Sequence, residues 1–282
     1  MTGDLDTQSG VSGIAKSKDG QYLPYKIDWR FMPDPILLLK DLVRPHLVVL
    51  NLAVARSRLL GPFWRATLGR GTAEAIRNAG KLFIHIPKTG GTSISKCLYG
   101  RNLPHYTADF YQDVFPELLS SVPSFGVIRD PIERILSSYS FIKAGGTEIM
   151  ATSRYAKLLV EKAGDFDGFV DELYRQPERS HVFEVLEQQI TYVTSGGKFL
   201  VDYLFTLDKN YGFSPALSSL IDTSEIPHIN ATVRTPVAIS PESERKIRHL
   251  YQSDFALFEA LNNSPTAKTG ELTSFKGRST GL

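Results

Sequence analysis

The stretch KLFIHIPKTGGTSISKCLYG, residues 81–100, reads as a buried strand, a short glycine loop and a helix. Leu82, Phe83, Ile84 and Ile86 form a β-prone apolar run that stops at Pro87, as a central parallel strand does. Gly90 and Gly91 let the backbone turn back tightly, and Thr92-Ser93 opens a helix that Gly100 can end. Such a loop aims several backbone N–H groups and a helix N-terminus at one point, and that point is an anion site. Lys88 adds a full positive charge, while Thr89, Thr92 and Ser93 add hydroxyl donors.

The residue order narrows the anion. A nucleotide-triphosphate P-loop, GxxxxGK[ST], places its lysine after the last glycine. Here Lys88 precedes the glycines, and no glycine lies four or five residues upstream of it, so this is not a Walker A motif. An ordinary βα turn with a solvated lysine would explain the turn. It would not explain why a lysine, two glycines and hydroxyl residues converge at one strand end. Pro87-Lys88-Thr89-Gly90-Gly91-Thr92-Ser93 resembles the 5′-phosphosulfate-binding loop of sulfotransferases that use 3′-phosphoadenosine 5′-phosphosulfate (PAPS).

A chain of 282 residues accommodates one α/β domain and an extension. The expected division is an N-terminal extension over 1–75, partly flexible with apolar and basic helices, a sulfotransferase domain over 76–264, and a disordered tail over 265–282. A net charge of +2 is too small for general nucleic-acid binding. The single cysteine, Cys97, permits no intrachain disulfide and is expected to pack within the helix that Thr92 opens, which suits a reducing compartment. The start, MTGDLDTQSGVSG, is polar and acidic rather than signal-like. No internal repeat occurs, and no CxxC or HExxH spacing points to a metal.

From Pro33 to Gly71 the chain turns apolar and basic. No acid occurs between Asp41 and Glu74, while Arg44, Arg56, Arg58, Arg65 and Arg70 fall there with Trp64. The apolar run after Pro45 is too short to span a bilayer. Residues 36–68 therefore have two readings, a peripheral membrane contact or a pair of helices packed on the domain with arginines at the rim. The apolar residues form no single clean face, which favours packing.

Residues 101–123 read as a loop and a short helix bounded by prolines, with His105 the polar residue of interest and Glu117 the main acidic one. In SFGVIRDPIERILSSYSFIK, residues 124–143, Phe125, Val127 and Ile128 make a second buried strand. Asp130 is a natural N-cap and Pro131 a natural first helical residue. Ile132, Ile135, Leu136 and Tyr139 form the expected core face, with Arg134, Ser137, Ser138 and Phe141 on another. This segment resembles the same family's 3′-phosphate-binding motif. The resemblance assigns the 3′-phosphate of PAPS to Arg129 at the strand end and Ser137 two turns into the helix. A terminal phosphate suits a guanidinium fork and a hydroxyl near a helix N-terminus.

Helical periodicity recurs over 154–162, 166–175 and 179–192; 189–197 resembles a segment that closes over the family's active site. VDYLFTLDKN is a later strand, YGFSPALSSLI a helix, and Ser240 opens a last helix carrying Ile247, Leu250, Tyr251, Phe258 and Leu261. HINATVR resembles the family's late loop, which makes Asn230 a cofactor contact. Alternating strands and helices, with the resemblance over residues 80–262, imply an α/β, P-loop-like three-layer fold with a central parallel sheet flanked by helices.

The resemblance is closest to Golgi-type and bacterial carbohydrate sulfotransferases. It implies sulfuryl transfer from PAPS to a hydroxyl of a carbohydrate or glycolipid, in line and without a metal. Lys88, Thr89, Gly90, Gly91, Thr92, Ser93, Arg129, Ser137 and Asn230 then bind the cofactor. Lys88 also acts in catalysis, neutralising the leaving group. Animal members carry a membrane anchor and often disulfides; their lack here predicts a bacterial-type cytoplasmic enzyme, membrane-associated if 36–68 touch lipid. The family's base, a histidine or glutamate, commonly comes from between the two cofactor motifs. That makes His105 the candidate base and Glu117 its competitor, with a loop-packing role for His105 the alternative. His85 lies in the first strand, His228 in the late loop, and His46, His181 and His249 outside the motifs. Two other classes stay open, a kinase-like nucleotide-binding phosphotransferase and a non-catalytic nucleotide-binding protein.

Overall fold

The structure, a computed structural model, describes residues 70–146, 152, 154–177, 180, 183–207, 213–223 and 237–263. The expectations for residues 36–68, for His228 and Asn230, and for the tail lie outside the described residues.

Helix α1 (Arg70–Ala79) leads into strand β1 (Leu82–Ile84), and the glycine loop into α2 (Gly91–Tyr99). Two short helices, α3 (Ala108–Val114) and α4 (Pro116–Ser121), precede β2 (Ser124–Arg129), which runs into α5 (Pro131–Lys143). Then come α6 (Arg154–Ala163), α7 (Phe166–Arg175), α8 (Gln189–Val193), a small hairpin of Thr194–Ser195 with Lys198–Phe199, and β3 (Tyr203–Leu207). Helices α9 (Pro215–Leu220), α10 (Pro241–Leu250) and α11 (Gln252–Asn263) follow. The three main strands are parallel, in the order β1-β2-β3, with Phe83 opposite Phe125 and Phe125 opposite Tyr203.

Strand alternation sorts the sheet residues into two layers. Leu82, Ile84, Ile128 and Leu204 pack against Ile76 of α1, α3, α4, Val193 of α8 and Leu257 of α11. Their neighbours Phe83, Phe125, Val127, Phe205 and Leu207 pack on the other face against Ile94 of α2 and Leu217 of α9. Burial of both faces explains why these strands read as unbroken apolar runs. A third cluster joins α5, α6, α7 and α10 through Ile135, Tyr139, Leu159, Phe169 and Ile247. The chain is thus an α/β protein whose parallel sheet lies between helices. On the outer side of β1, the Phe83 N–H donates to the Tyr99 hydroxyl at 2.8 Å and that hydroxyl donates to the Lys81 carbonyl at 3.0 Å, which blunts an open strand edge.

Local expectations fail in several places, for physical reasons. Residues 101–123 hold two helices rather than one, because Pro116 starts a new helix directly after α3. Within the helix expected over 179–192, residue 180 and α8 are helical among the described residues, but residues 183–188 are not. The carbonyls of Glu184, Val185 and Leu186 instead accept the hydroxyls of Tyr192 (3.0 Å), Ser138 (2.6 Å) and Tyr251 (2.8 Å). The last helix divides at Tyr251, whose φ of −114° and ψ of 28° leave the helical region. Helix α5 is buried on two faces, since Arg134, Ser137, Ser138 and Phe141 are buried alongside Ile135 and Tyr139. Cys97 is exposed rather than packed.

Candidate active site

The glycine loop is held by its own residues. Thr89, fully buried, donates its hydroxyl to the Ile86 carbonyl at 2.9 Å, closing the turn rather than offering a donor outward. Lys88 adopts φ 69° and Gly90 φ 80°, both left-handed; for lysine this costs on the order of 1–2 kcal/mol. A Cβ on Gly91 would lie 2.2 Å from Cδ2 and 2.6 Å from Nε2 of His85, so the backbone passes directly over that imidazole. The Ser93 N–H returns to the Gly90 carbonyl at 3.1 Å. Among the described residues, the N–H groups of Gly90, Gly91 and Thr92 donate to no acceptor. They stand at the start of a nine-residue helix, where donors and dipole both favour an anion.

The second segment emerges beside the first because β1 and β2 are parallel neighbours. Gln189 clamps the end of β2, accepting the Arg129 N–H and donating to the Arg129 carbonyl, each at 2.9 Å. The Asp130 carboxylate caps α5 by accepting the Glu133 N–H at 3.0 Å, and Pro131 occupies the first turn. The Arg129 guanidinium donates to the Lys88 carbonyl at 3.2 Å and to Glu133 at 3.4 Å. Arg134, 1% exposed, donates from Nε to the Pro87 carbonyl at 3.0 Å, while its Nη2 has no partner among the described residues. Ser137 is buried one turn further on, its hydroxyl also without a partner among them. The Lys88 ammonium lies 4.4 Å from the centre of the Phe141 ring. Burial first, then the Arg129 and Arg134 charges, pull its pKa from 10.5 down to about 8. Sequence reasoning placed Arg134 beside Ser137 on α5 but gave it no part in the site; its i, i+3 spacing to Ser137 was the available signal.

His105 stands on a loop pinned from two sides. The Ser95 hydroxyl accepts the Leu103 N–H at 2.8 Å and donates to the Arg101 carbonyl at 3.0 Å. The ring of His85 contacts the Leu103 carbonyl through Nδ1 at 3.1 Å. A carbonyl only accepts, so this nitrogen carries the proton. Burial, then the nearby His105, lowers the His85 pKa well below the ordinary histidine value, although the Leu103 contact raises it. His105 lies edge-on to His85, ring centres 4.3 Å apart, and its Nδ1 is 2.9 Å from the Glu184 carboxylate. Glu117, by contrast, is 53% exposed and paired with Arg77 of α1 at 3.0 Å. Both helices lead into the amino ends of their strands, whereas Lys88 and Arg129 leave the carboxyl ends. Glu117 is therefore remote from the anion loop. Glu184 was missed from sequence, since nothing local ties it to a histidine 79 residues earlier.

The model of the Sulfotransferase family matches residues 78–259, more than half of the chain. The chain belongs to the sulfotransferase family. No curated protein and no solved structure matches it. The matched span takes in the glycine loop, the segment from Arg129 to Ser137, His105 and Glu184, and ends within α11. In this sulfotransferase the two segments come together because their strands are adjacent and because Arg129 and Arg134 each hold a carbonyl of the glycine loop.

Proposed function

We propose that this sulfotransferase moves a sulfuryl group from PAPS to a hydroxyl of a carbohydrate or glycolipid, in line and with side-chain cations in place of a metal. One observation carries the reading: Lys88, Arg129 and Arg134 crowd the ends of two adjacent strands, with Arg129 donating to the Lys88 carbonyl at 3.2 Å and Arg134 to the Pro87 carbonyl at 3.0 Å. Such a cluster suits a ligand with two phosphate groups. The idle N–H groups of the loop, the orphan Nη2 of Arg134 and the unpartnered Ser137 hydroxyl fit the same ligand. Bound PAPS supplies the electrophilic sulfur on a phosphate leaving group. Lys88 and the N–H groups of Gly90 to Thr92 hold the 5′ side, and Lys88 neutralises charge on the leaving oxygen. Arg129 and Ser137 hold the 3′-phosphate, with Asn230 a further contact. His105 takes the acceptor's proton on Nε2 as the acceptor oxygen bonds to sulfur. The carbohydrate class follows from the wording of the two motifs. The reading also places the transferase in residues 76–264 of a bacterial-type cytoplasmic protein.

Calorimetry with adenosine 3′,5′-bisphosphate against magnesium-ATP tests the cofactor, and the bisphosphate is expected to bind much more tightly. Preference for ATP would favour a kinase-like enzyme instead. Transfer of label from PAPS distinguishes a catalyst from a binding protein. Mass spectrometry of glycans and glycolipids from a deletion strain then identifies the acceptor.

A further inference from the structure

We propose that Glu184 is a positioning residue for this reaction: its carboxylate holds His105 in the tautomer that leaves Nε2 free to accept the acceptor's proton. The inference rests on the reading of His105 as the base and adds to it. An ionised carboxylate only accepts, so the 2.9 Å contact puts a proton on Nδ1 of His105 and a lone pair on Nε2. Among the described residues Nε2 makes no hydrogen bond. His105 is 8% exposed and Glu184 9%, so the pair is shielded from competing water. When the acceptor O–H bond breaks, its proton goes to Nε2 and its electron pair to the new O–S bond, while the bond from sulfur to the 5′-phosphate oxygen breaks and its electron pair leaves with adenosine 3′,5′-bisphosphate. The resulting imidazolium faces a carboxylate on its far side, which stabilises it.

Glu184 is itself held in place. Its carbonyl accepts the Tyr192 hydroxyl at 3.0 Å, and the next two carbonyls take Ser138 and Tyr251. Asp254 of α11 accepts the Gln189 and Ile190 N–H groups at 2.8 and 2.9 Å, fixing the start of α8 just downstream. On the other side, His85 touches both His105 and the backbone at Gly91. One ring thus separates the base from the anion loop, and the carboxylate's position sets the base's orientation relative to it.

Nitrogen-15 spectra of the histidine side chains in the whole protein test this without an acceptor. The parent is expected to show His105 protonated on Nδ1 with Nε2 bare. Glu184→Gln, whose amide can present either N–H or oxygen, is expected to show a mixture of tautomers. In parallel, labelled transfer from PAPS to a pool of glucose, galactose and N-acetylglucosamine should fall about a hundredfold or more in Glu184→Gln. Affinity for adenosine 3′,5′-bisphosphate should stay near that of the parent, which also shows that the variant folds. A parent His105 protonated on Nε2 overturns the proposal, and so does parent-like transfer in Glu184→Gln when His105→Ala is inactive. Full transfer in His105→Ala overturns the base assignment itself and this proposal with it. Should the variant not fold, the parent spectrum alone decides.

Discussion

Lys88 combines a left-handed backbone, a ring beneath its ammonium and two guanidinium groups close by. With its pKa near 8, its charge is lost in the pH range where a phosphate ligand is already doubly ionised. Affinity for adenosine 3′,5′-bisphosphate should therefore weaken as pH rises through about 8, by up to about tenfold per unit, when followed by calorimetry. Lys88→Arg keeps its charge and should flatten that limb; a flat profile in the parent would refute the assignment. Stability of the free protein runs the opposite way. Between about 8 and 10.5 the unfolded chain binds the lysine proton and the folded chain does not, so stability from this group rises with pH across that window. At Arg129, replacement by alanine should weaken adenosine 3′,5′-bisphosphate about ten- to a hundredfold and adenosine 5′-phosphate much less. Equal losses would show that Arg129 does not read the 3′ group.

The loop and helix α2 form a single mechanical element resting on His85. Gly91→Ala drives a methyl group into that imidazole, and overpacking of this kind costs about 1–3 kcal/mol. Denaturant unfolding should show the loss, and bisphosphate binding should weaken with it because the loop must shift. Removing the obstruction in Gly91→Ala/His85→Ala should recover part of the stability, giving a coupling of about 0.5 kcal/mol or more. Strictly additive losses would mean that the contact is not close. Local signals set the limits of this element and its counterpart. Gly100 ends α2 at φ 66° and its N–H returns to Lys96, while Asp130 and Pro131 open α5. They did not set the limits of 179–192 or of the last helix. In the first, hydroxyls of Tyr192, Ser138 and Tyr251 take the carbonyls of Glu184, Val185 and Leu186; the last helix breaks at Tyr251, whose φ is −114°.

Among the described residues, the parallel neighbours β1 and β2 bring the glycine loop and the segment after β2, 41 residues apart between Lys88 and Arg129, into hydrogen-bond contact. The described residues contain no helix long and apolar enough to cross a membrane. Residues 36–68 lie outside the described residues, and their arginines make flotation the decisive whole-chain experiment. A membrane-bound protein should float with vesicles rich in anionic lipid, and less so at high salt. Packing on the domain predicts no flotation and insolubility once the segment is deleted.

The sequence alone determined the layered α/β architecture, the glycine loop after β1 and the capped turn after β2. Burial on both faces leaves unbroken apolar strands, and the Lys-Thr-Gly-Gly-Thr-Ser order and the Arg-Asp-Pro turn act through adjacent residues. Only the tertiary structure decided how the remaining polar groups are used. It closed the loop with the Thr89 hydroxyl, sent Glu117 to an exposed pair with Arg77, buried Arg134 against the Pro87 carbonyl and set Glu184 against His105. Each of these depends on which partner lies within about 3 Å of a polar atom. For groups far apart in the chain, packing sets that distance, and no local pattern encodes it.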